Sequence, residues 1–521
     1  MRRPDMELSP QQQEIVVNTT GNVVVSASAG TGKTRTMIAK IIHDLQQNRT
    51  HKVIAAITFT INAAQEIRER LTFDVSQNFI GTNNSFVIDE IIKPFMKDVY
   101  GDEYDIDMNT DYTDENNKFD TLDEGIEKIK KMRTIYAYKK GLKNFVFDLA
   151  LTIVKQSDVC RLYLQAKYFN IYIDEYQDCD SDMHAFFMYL CDELNITTFI
   201  VGDNKQSIYR WRGANPVLFE SIFSKRNFIH KKLTENYRSH KQIQDYSNLL
   251  FEHTRHLITQ PQNNGNIAWV YATNKDWASK VTGLIDADKT SALLRGQKVT
   301  SKTGKYGAQE GADMLTANGI QHTFIPSTPI DDITSNSAWL YTAIARFVLI
   351  DTYSRFDFIE DIPAEAEANR KPLEKITQML QAIKSTVSVN EFDFKNNVTS
   401  LFEYLGYSAS DQHLKNLYET VCDRKYAVAL SPEKPMHCTL TFHSSKGLEF
   451  EQVVLFIEDY AYGHCVTEEN INNHYVACTR AMSKLIIVDT KSIDAKTMKE
   501  KLDELFKETG TQYSQLITFY Q

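Results

Sequence analysis

The fold is decided by the stretch Val23-Val24-Val25-Ser26-Ala27-Ser28-Ala29-Gly30-Thr31-Gly32-Lys33-Thr34. Its three valines predict a buried β-strand, and the apolar residues that follow at helical spacing predict an α-helix. Between the two, small residues allow backbone N–H groups to curl around a phosphate, and the new helix directs its positive end at the anion. We expect Lys33 to reach the β- and γ-phosphates of a nucleotide, and the Thr34 hydroxyl to bind Mg²⁺.

A glycine-rich turn in a different α/β fold would explain the same stretch, because Ala27 stands where the simplest phosphate-loop pattern has glycine. A second apolar run, Tyr168 to Ile173, favours the phosphate loop because it ends in the adjacent acids Asp174 and Glu175. Hydrolysis of a phosphoanhydride requires one carboxylate that holds Mg²⁺ and a second that polarises the attacking water. We expect Asp174 in the first role and Glu175 in the second. A charged helix start would explain either acid, but not its match with the phosphate loop.

A further strand, Thr198 to Val201, opens into the segment Gly202-Asp203-Asn204-Lys205-Gln206-Ser207-Ile208-Tyr209-Arg210-Trp211-Arg212-Gly213-Ala214. The Gln206 amide can sense a γ-phosphate, and the rings of Tyr209 and Trp211, which we expect to be exposed, can stack on nucleic-acid bases. Aromatic residues near arginine are more often part of a core, but Trp211 lies between two arginines and a glycine. The segment predicts a link between the state of the nucleotide and the binding of a strand.

The chain has 521 residues and is too long for one hydrophobic core, so we expect about three or four domains. Its 42% apolar and 24% charged residues are typical of a soluble globular protein. The seven cysteines are scattered without CxxC pairs, which indicates free thiols in a reducing, cytoplasmic compartment. Met1 to Pro10 has no apolar signal segment, and the longest apolar run, Ala338 to Ile350, contains a charged residue, Arg346. We therefore expect no membrane partner.

The formal charge of -10 argues against a protein that coats nucleic acid by bulk electrostatics, but it is compatible with a local groove for one strand. A basic segment, Lys128 to Lys143, is interleaved with Tyr136 and Tyr138. It could follow a nucleic-acid backbone, and a charge-rich helix face explains it equally well. The change of composition in this region marks residues 87–165 as an inserted domain.

These motifs resemble those of the UvrD/Rep/PcrA-like group of superfamily 1 DNA helicases. The resemblance continues to the end of the chain. Motif IV is similar to Leu233-Thr234-Glu235-Asn236-Tyr237-Arg238-Ser239, motif V to Thr441-Phe442-His443-Ser444-Ser445-Lys446-Gly447-Leu448-Glu449-Phe450, and motif VI to Tyr475-Val476-Ala477-Cys478-Thr479-Arg480-Ala481. Gln12 matches the Q motif, Thr58-Phe59-Thr60 matches motif Ia, and Gly81-Thr82 with Ser85-Phe86 matches motif Ib. The motifs occur in the family's order and leave only two inserted regions unmatched.

The resemblance implies an α/β fold with two RecA-like P-loop domains, each a parallel sheet flanked by helices, and with mostly helical inserted subdomains. The implied regions are domain 1A (residues 1–86 and 166–227), insert 1B (87–165), domain 2A (228–329 and 436–521) and a reduced insert 2B (330–435). ATP would bind in the cleft between 1A and 2A, and single-stranded DNA would lie across their tops.

The resemblance also implies roles for individual residues. Tyr237 would stack on adenine, Glu449 would lie near the ribose, and Arg238 and Arg480 would reach the γ-phosphate as arginine fingers. The implied catalytic residues are Lys33, Asp174, Glu175, Gln206, Arg238 and Arg480. The nucleotide would contact Gln12, Ala27, Ser28, Ala29, Gly30, Thr31, Gly32, Lys33, Thr34, Arg35, Tyr237 and Glu449, and Mg²⁺ would contact Thr34 and Asp174. DNA would contact Phe59, Thr82, Tyr209, Trp211 and His443.

The implied function is an ATP-dependent translocase or helicase that moves 3′ to 5′ on single-stranded or partly duplex DNA, in DNA repair or antiphage defence. The compact chain, which has no nuclease motif after Arg480, is similar in architecture to the helicase-like subunits of antiphage systems such as Gabija, which work beside a separate nuclease. The alternative is a nucleotide-sensing regulatory subunit that binds DNA ends or a nuclease and unwinds little by itself. Ile61 and Asn84, which depart from motifs Ia and Ib, favour this alternative, as does the reduced insert 2B.

Overall fold

The computed structural model describes residues 7–71, 77–104, 108–112, 114–296, 307–331, 333, 337–362, 371–462 and 465–521. These residues form two large parallel sheets with helices on their faces, and one small two-stranded sheet. Their strands are β1 (Asn22–Ala27), β2 (Val53–Thr58), β3 (Phe79–Thr82), β4 (Asn109–Thr110), β5 (Thr134–Ile135), β6 (Tyr168–Ile173), β7 (Thr197–Gly202), β8 (Phe228–Leu233), β9 (Ile267–Tyr271), β10 (Ser291–Arg295), β11 (Thr323–Phe324), β12 (His437–Thr441), β13 (Phe450–Phe456), β14 (Ala481–Asp489) and β15 (Thr518–Tyr520).

Helices make up most of the remaining described residues. They are α1 (Pro10–Val17), α2 (Lys33–Gln47), α3 (Ile61–Arg70), α4 (Asn83–Val87), α5 (Lys93–Tyr100), α6 (Leu122–Met132), α7 (Phe145–Gln156), α8 (Asp158–Lys167), α9 (Ser181–Asp192), α10 (Pro216–Ile222), α11 (Lys241–Leu249), α12 (Trp277–Thr282), α13 (Ala308–Ala317), α14 (Ala338–Leu349), α15 (Arg355–Glu360), α16 (Leu373–Thr386), α17 (Glu391–Tyr404), α18 (Asp411–Cys422), α19 (Ala427–Leu430), α20 (Glu468–Cys478) and α21 (Ile493–Thr509). A π-helical segment, Ile88–Ile92, joins α4 to α5. Ser9 caps α1 and Pro10 begins it, and both residue types are favoured at those positions of a helix.

The first sheet has the strand order β3-β2-β6-β7-β1-β8, and neighbouring strands are parallel throughout. Helices cover both faces of such a sheet, so its central strands are apolar on both sides. In β1, Val24 packs into the core on one face, whereas Val23 and Val25 pack into the core on the other. Because the carboxyl ends of parallel strands share one edge, the residues that follow β1, β6 and β7 come together there.

Strand β8 lies next to β1, with Asn22 opposite Phe228 and Ala27 opposite Leu233. It therefore belongs to the first sheet, and the prediction that domain 2A begins at residue 228 is wrong for this strand. The inner residues of β8 are mostly exposed, as is typical of an edge strand, and such a pattern does not indicate which sheet the strand joins. Because β8 ends beside β1, the chain from Thr234 onward starts next to the phosphate loop. The other predicted domain boundaries stay predictions.

The region predicted as insert 1B packs directly on the first sheet. Phe147 and Leu149 of α7 share one hydrophobic core with Val24 and Ile57 of the sheet. Buried residues from the rest of the region belong to the same core. The region is helical apart from the short strands β4 and β5. We conclude that this region extends the first domain's core instead of forming a separate one.

The basic segment of this region is largely engaged within the protein. Lys130 pairs with Glu103, and the ammonium of Lys139 lies 2.9 Å from Oδ2 of Asp120. The rings of Tyr136 and Tyr138 are buried, so they are not positioned to stack on bases. These contacts favour a charge-rich protein surface over a nucleic-acid track for this segment.

The second sheet has the order β11-β12-β10-β13-β14-β9-β15 and is also parallel. The prediction of two α/β domains with parallel sheets is confirmed. Strand β15 was not predicted, because three residues at the end of a chain are too short for a periodic pattern. Its Phe519 ring stacks on that of Tyr271 in β9, with centroids 5.9 Å apart.

Helices α14 to α19 surround a core of their own, within the region predicted as insert 2B. Phe394 and Phe402 of α17 and Leu380 of α16 are fully buried in it. It contacts the first insert where the Ser408 hydroxyl donates a hydrogen bond to Oδ1 of Asn109, and where Nε2 of His413 lies 3.9 Å from Oδ1 of Asp111. Both regions predicted as inserts are mostly helical, as expected, but only this second one has a core of its own.

Among the described residues, no helix combines the length and the apolar character that crossing a bilayer requires. The predicted absence of a signal segment concerns Met1 to Pro10, of which residues 1–6 lie outside the described part of the chain. The cytoplasmic location stays a prediction.

Candidate functional site

The candidate site begins at the carboxyl end of β1, where the chain turns into α2. Two glycines of this turn have a left-handed backbone, Gly30 at φ 75° and Gly32 at φ 79°, which other residues rarely adopt. A Cβ atom on Gly30 would lie 2.4 Å from Oδ1 of Asn236, and one on Gly32 would lie 2.6 Å from Nε2 of Gln12. Both positions require glycine, as expected of a loop whose backbone approaches a phosphate.

Side chains from other parts of the chain hold the loop. Gln12 donates a hydrogen bond from Nε2 to the carbonyl of Thr31 at 3.0 Å. Asn236 donates from Nδ2 to the carbonyl of Ala29 at 2.9 Å, and the Ala29 N–H donates to the Tyr475 hydroxyl at 3.1 Å. Gln12 is among the residues predicted to contact the nucleotide. The contacts of Asn236 and Tyr475 with the loop join residues far apart in the chain, and the sequence does not indicate them.

Two oxygen ligands suited to Mg²⁺ meet beside the loop. The hydroxyl of Thr34, in the first turn of α2, donates to Oδ2 of Asp174 at 3.1 Å, and Asp174 is 2% exposed. Burial and the neighbouring Glu175 raise the pKa of Asp174 to about 6. Mg²⁺ prefers carboxylate and hydroxyl oxygens, and a buried carboxylate gains from a cation. The residues present therefore fit the magnesium ion that a phosphate loop implies.

Glu175 has a left-handed backbone, at φ 53°, which is unusual for a residue with a side chain and is frequent at functional sites. Each of its carboxylate oxygens faces an ammonium group: Nζ of Lys33 lies 3.5 Å from Oε1, and Nζ of Lys446 lies 3.5 Å from Oε2. Desolvation would raise the pKa of Glu175, but Lys33 and Lys446 outweigh it and lower the pKa to about 2. In this arrangement Glu175 is a weak base.

Lys446 reaches this site from the loop after β12, in the second sheet. Its ammonium also pairs with the buried carboxylate of Asp178 and lies 5.0 Å from the ring centroid of Tyr209. Burial lowers the pKa of Lys446, but Asp178 and Glu175 outweigh this and hold the pKa above its usual value. Sequence reasoning did not single out Lys446, because its partners are far away in the chain. Its place inside the stretch that is similar to motif V is the signal that could have indicated it.

Two arginines that follow β8 in the chain face the same cleft. Arg480 is 2% exposed, and its Nη2 atom lies 3.4 Å from Oε1 of Gln206. Burial and the neighbouring Arg238 lower the pKa of Arg480 to about 9. Arg238 donates from Nε to Oε1 of Glu449 at 2.7 Å, and its Cβ lies 2.8 Å from the position of a Cβ on Gly30. The structure thus brings Arg238 and Arg480 close to the predicted catalytic residues of the first domain.

The predicted adenine-stacking residue lies at the outer side of the loop. The Tyr237 N–H donates to the carbonyl of Gly30 at 2.9 Å, and Tyr237 is 42% exposed. Arg35 is close enough to act electrostatically on the Tyr237 hydroxyl. At the inner side of the loop, the Ser28 hydroxyl accepts a hydrogen bond from Lys205 at 3.1 Å.

The predicted DNA residues Trp211, Tyr209 and His443 lie near one another. Trp211 is 60% exposed, and the guanidinium of Arg212 lies 4.5 Å from its ring centroid. The prediction that Tyr209 is exposed is wrong: its side chain is half-buried, with its ring centroid 6.2 Å from that of His443. Lys446 and His443, both from the second domain, cover it, and the local sequence carries no sign of that contact.

The other two predicted DNA residues have structural contacts in the first domain. The Thr82 side chain caps α4 by accepting a hydrogen bond from the N–H of Ser85. Phe59 is partly buried against the core of the first sheet. Their contacts with DNA stay predictions.

Comparison with known proteins tests the resemblance. A family model for the UvrD/REP helicase N-terminal domain matches residues 8–149 and 139–227, and one for the UvrD-like helicase C-terminal domain matches residues 342–492. The chain belongs to the UvrD/REP helicase family. This confirms the predicted resemblance, the two RecA-like domains, and the prediction of an ATP-hydrolysing helicase of the UvrD type.

Curated members of this helicase family align along the chain. Gabija protein GajB from Bacillus cereus (strain VD045) is 37% identical over 95% of this chain and 98% of its own length. ATP-dependent DNA helicase PcrA from Bacillus subtilis (strain 168) is 25% identical over 93% of this chain and 83% of its own length. ATP-dependent DNA helicase Rep from Escherichia coli (strain K12) is 28% identical over 49% of this chain and 44% of its own length.

We predict that Arg480→Ala slows ATP turnover by about 10³-fold or more, in line with the effect of an arginine finger, while nucleotide binding largely survives. Lys33→Ala should abolish turnover, because it removes the ammonium group that is expected to bind the β- and γ-phosphates. Steady-state ATP hydrolysis and binding of a fluorescent nucleotide measure the two effects separately. Arg424→Ala, at an exposed arginine of the helical insert, is the matched control. Normal turnover in Arg480→Ala would overturn the role given to Arg480.

Proposed function

We propose that the chain is an ATP-dependent motor that translocates 3′ to 5′ on single-stranded or partly duplex DNA and acts in antiphage defence or DNA repair. The observation that carries this proposal is the meeting of two domains in one cleft, with Lys33, Asp174 and Glu175 on one side and Arg480 on the other. A site divided in this way couples the state of the nucleotide to the distance between the domains. The names of PcrA and Rep, both ATP-dependent DNA helicases, support ATP and DNA as ligands.

In the proposed reaction, Lys33 binds the phosphates from the first domain, and Arg238 and Arg480 bind the γ-phosphate from the second. Mg²⁺, when held by Thr34 and Asp174, supplies positive charge to the phosphate oxygens. Glu175 orients the attacking water and takes up its proton, and Gln206 senses the γ-phosphate. Because the charge of the transition state is stabilised from two domains, full turnover requires the cleft to close.

The contacts of Glu175 suggest how turnover is restrained. A carboxylate that is paired with both Lys33 and Lys446 has its acceptor sites occupied, so it cannot polarise water well. Two events would remove both ammonium groups from Glu175: Lys33 turns toward the phosphates when nucleotide binds, and Lys446 leaves Oε2. We infer that the second event depends on DNA.

The route from DNA to Glu175 follows contacts between side chains. Lys446 lies against the ring of Tyr209, and the Tyr209 ring is next to His443, which is three residues before Lys446 in the chain. A DNA strand that binds at Trp211, Tyr209 and His443 would move the Tyr209 ring and His443, and Lys446 would move with them. The same movement that grips the strand would therefore release Glu175 for catalysis.

The similarity to a Gabija protein is the basis for the proposed partner, a separate nuclease subunit. GajB aligns over nearly the whole chain, which supports a role in antiphage defence beside a separate nuclease subunit. The alternative is a nucleotide-sensing subunit that binds DNA ends and moves little. The paired acids and both arginines in the cleft oppose it, because a sensor needs to bind a nucleotide but does not need to hydrolyse it quickly.

We predict that single-stranded DNA strongly stimulates ATP hydrolysis, because strand binding would free Glu175. The measurement is the turnover rate of the purified chain with and without a single-stranded oligonucleotide, and with a duplex of the same sequence as control. A rate that is unchanged by any DNA, together with a stable complex with a nuclease, would favour the sensor over the motor.

Lys446→Met should reduce the ratio of DNA-stimulated to DNA-independent turnover toward one, because DNA binding would no longer change the contacts of the general base Glu175. The conservative variant Lys446→Arg keeps the positive charge and should retain most of the ratio. Both rates are measured on the same preparations. A wild-type ratio in Lys446→Met would contradict the proposed route.

Trp211→Ala should weaken binding of single-stranded DNA by about 1–3 kcal/mol, the usual effect of removing a ring that stacks on a base. Fluorescence anisotropy with a labelled oligonucleotide gives the dissociation constant. Phe392→Ala is the control, since Phe392 is 73% exposed and lies in the helical insert. An unchanged affinity would remove Trp211 from the proposed DNA surface.

A further inference from the structure

Lys205 is a buried lysine beside the phosphate loop that the mechanism above does not use. It lies in the 3₁₀ turn Asn204–Gln206 after β7 and is 4% exposed. Its ammonium lies 2.7 Å from Oδ1 of Asp203 and 3.1 Å from the hydroxyl of Ser28. It also lies 5.4 Å from the ring centroid of Tyr475.

Burying an ammonium is costly, and a turn after a strand does not require one. The ion pair with Asp203 offsets part of this cost. A lysine ammonium carries three N–H donors, and Ser28 and Asp203 account for two of them among the described residues. A buried cation with a remaining donor, held against a loop that binds phosphate, is well suited to an anionic ligand.

Lys205 is also connected to the groups that are proposed to contact the terminal phosphate. The carboxylate of Asp203 that pairs with Lys205 accepts a hydrogen bond from Nε2 of Gln206 at 2.8 Å. Gln206 in turn accepts one from Arg480 at 3.4 Å. Lys205, Gln206 and Arg480 therefore form one connected set on the inner side of the loop.

The hydroxyl of Tyr475 joins the same set. It lies 3.4 Å from Oδ2 of Asp203, and it accepts the hydrogen bond from the N–H of Ala29 in the loop. Tyr475 belongs to α20 of the second domain, so the surroundings of Lys205 are built from both sides of the cleft. A ligand atom that reaches Lys205 also reaches the junction between the domains.

We propose that Lys205 determines specificity for the terminal phosphate: with nucleotide bound, its ammonium contacts the γ-phosphate and so distinguishes a nucleoside triphosphate from a diphosphate. The inference rests on the proposed function, since it takes residues 27–34 as the triphosphate site. The positive charge of Lys33 serves the β- and γ-phosphates alike, whereas Lys205 adds a contact that only the triphosphate can make.

The test compares the affinities of the full chain for a non-hydrolysable ATP analogue and for ADP, both with Mg²⁺. In Lys205→Met we expect affinity for the analogue to fall by about tenfold or more, as for the loss of one charge-assisted hydrogen bond, and affinity for ADP to stay within about twofold. Lys205→Arg should retain much of the discrimination, because it keeps the charge. Undiminished ADP binding in Lys205→Met also reports that the variant is folded.

Lys40→Met is the matched control. Lys40 is another buried lysine, 4% exposed, on α2, and it pairs with Asp44 at 2.8 Å, away from the loop. Loss of Lys40 should leave the ratio of the affinities for the ATP analogue and for ADP unchanged. Equal affinities of wild type and Lys205→Met for the analogue, or an equal loss for both nucleotides, would overturn the proposal. These are binding measurements, so a failure of ATP turnover or of DNA stimulation in the wild type would count against the proposed function and not against Lys205.

Discussion

The constraint on which this structure depends is the burial of acidic side chains at the edge of the first sheet. Asp174, Asp178 and Asp203 are each almost fully buried, and buried carboxylates are stable only with cations or hydrogen bonds close by. Lys33 and Lys205 come from the first domain, but Lys446 and Arg480 come from the second. The buried ion pair of Lys446 with Asp178 therefore joins the two domains at the proposed nucleotide site.

The parts of this arrangement that depend on local sequence could be predicted. The phosphate loop is recognisable because its glycines, lysine and threonine must follow one another in a short turn between β1 and α2. Asp174 and Glu175 are recognisable because they end a buried strand, and the carboxyl ends of parallel strands meet at one edge. The order of the motifs then indicates two domains of the same kind, which the two parallel sheets and the family models confirm.

The parts that depend on contacts between distant residues could not be predicted. β8 precedes the second domain in sequence but pairs with β1, and β15 is too short to show a period. Lys446, Lys205 and Asn236 act on partners far away in the chain, and Tyr209 is covered by Lys446 and His443 of the other domain. Burial and pairing of this kind are set by the approach of the two sheets, which no single stretch of sequence encodes.

The central claim is that one triphosphate lies between the two domains and takes charge from both. A structure of the full chain with a non-hydrolysable ATP analogue, Mg²⁺ and a single-stranded oligonucleotide tests it most directly. The account predicts that Lys33 and Arg480 both contact the γ-phosphate, and that Glu175 no longer pairs with either Lys33 or Lys446. A bound nucleotide that is contacted by the first domain alone, with Arg480 turned away from it, would contradict the account.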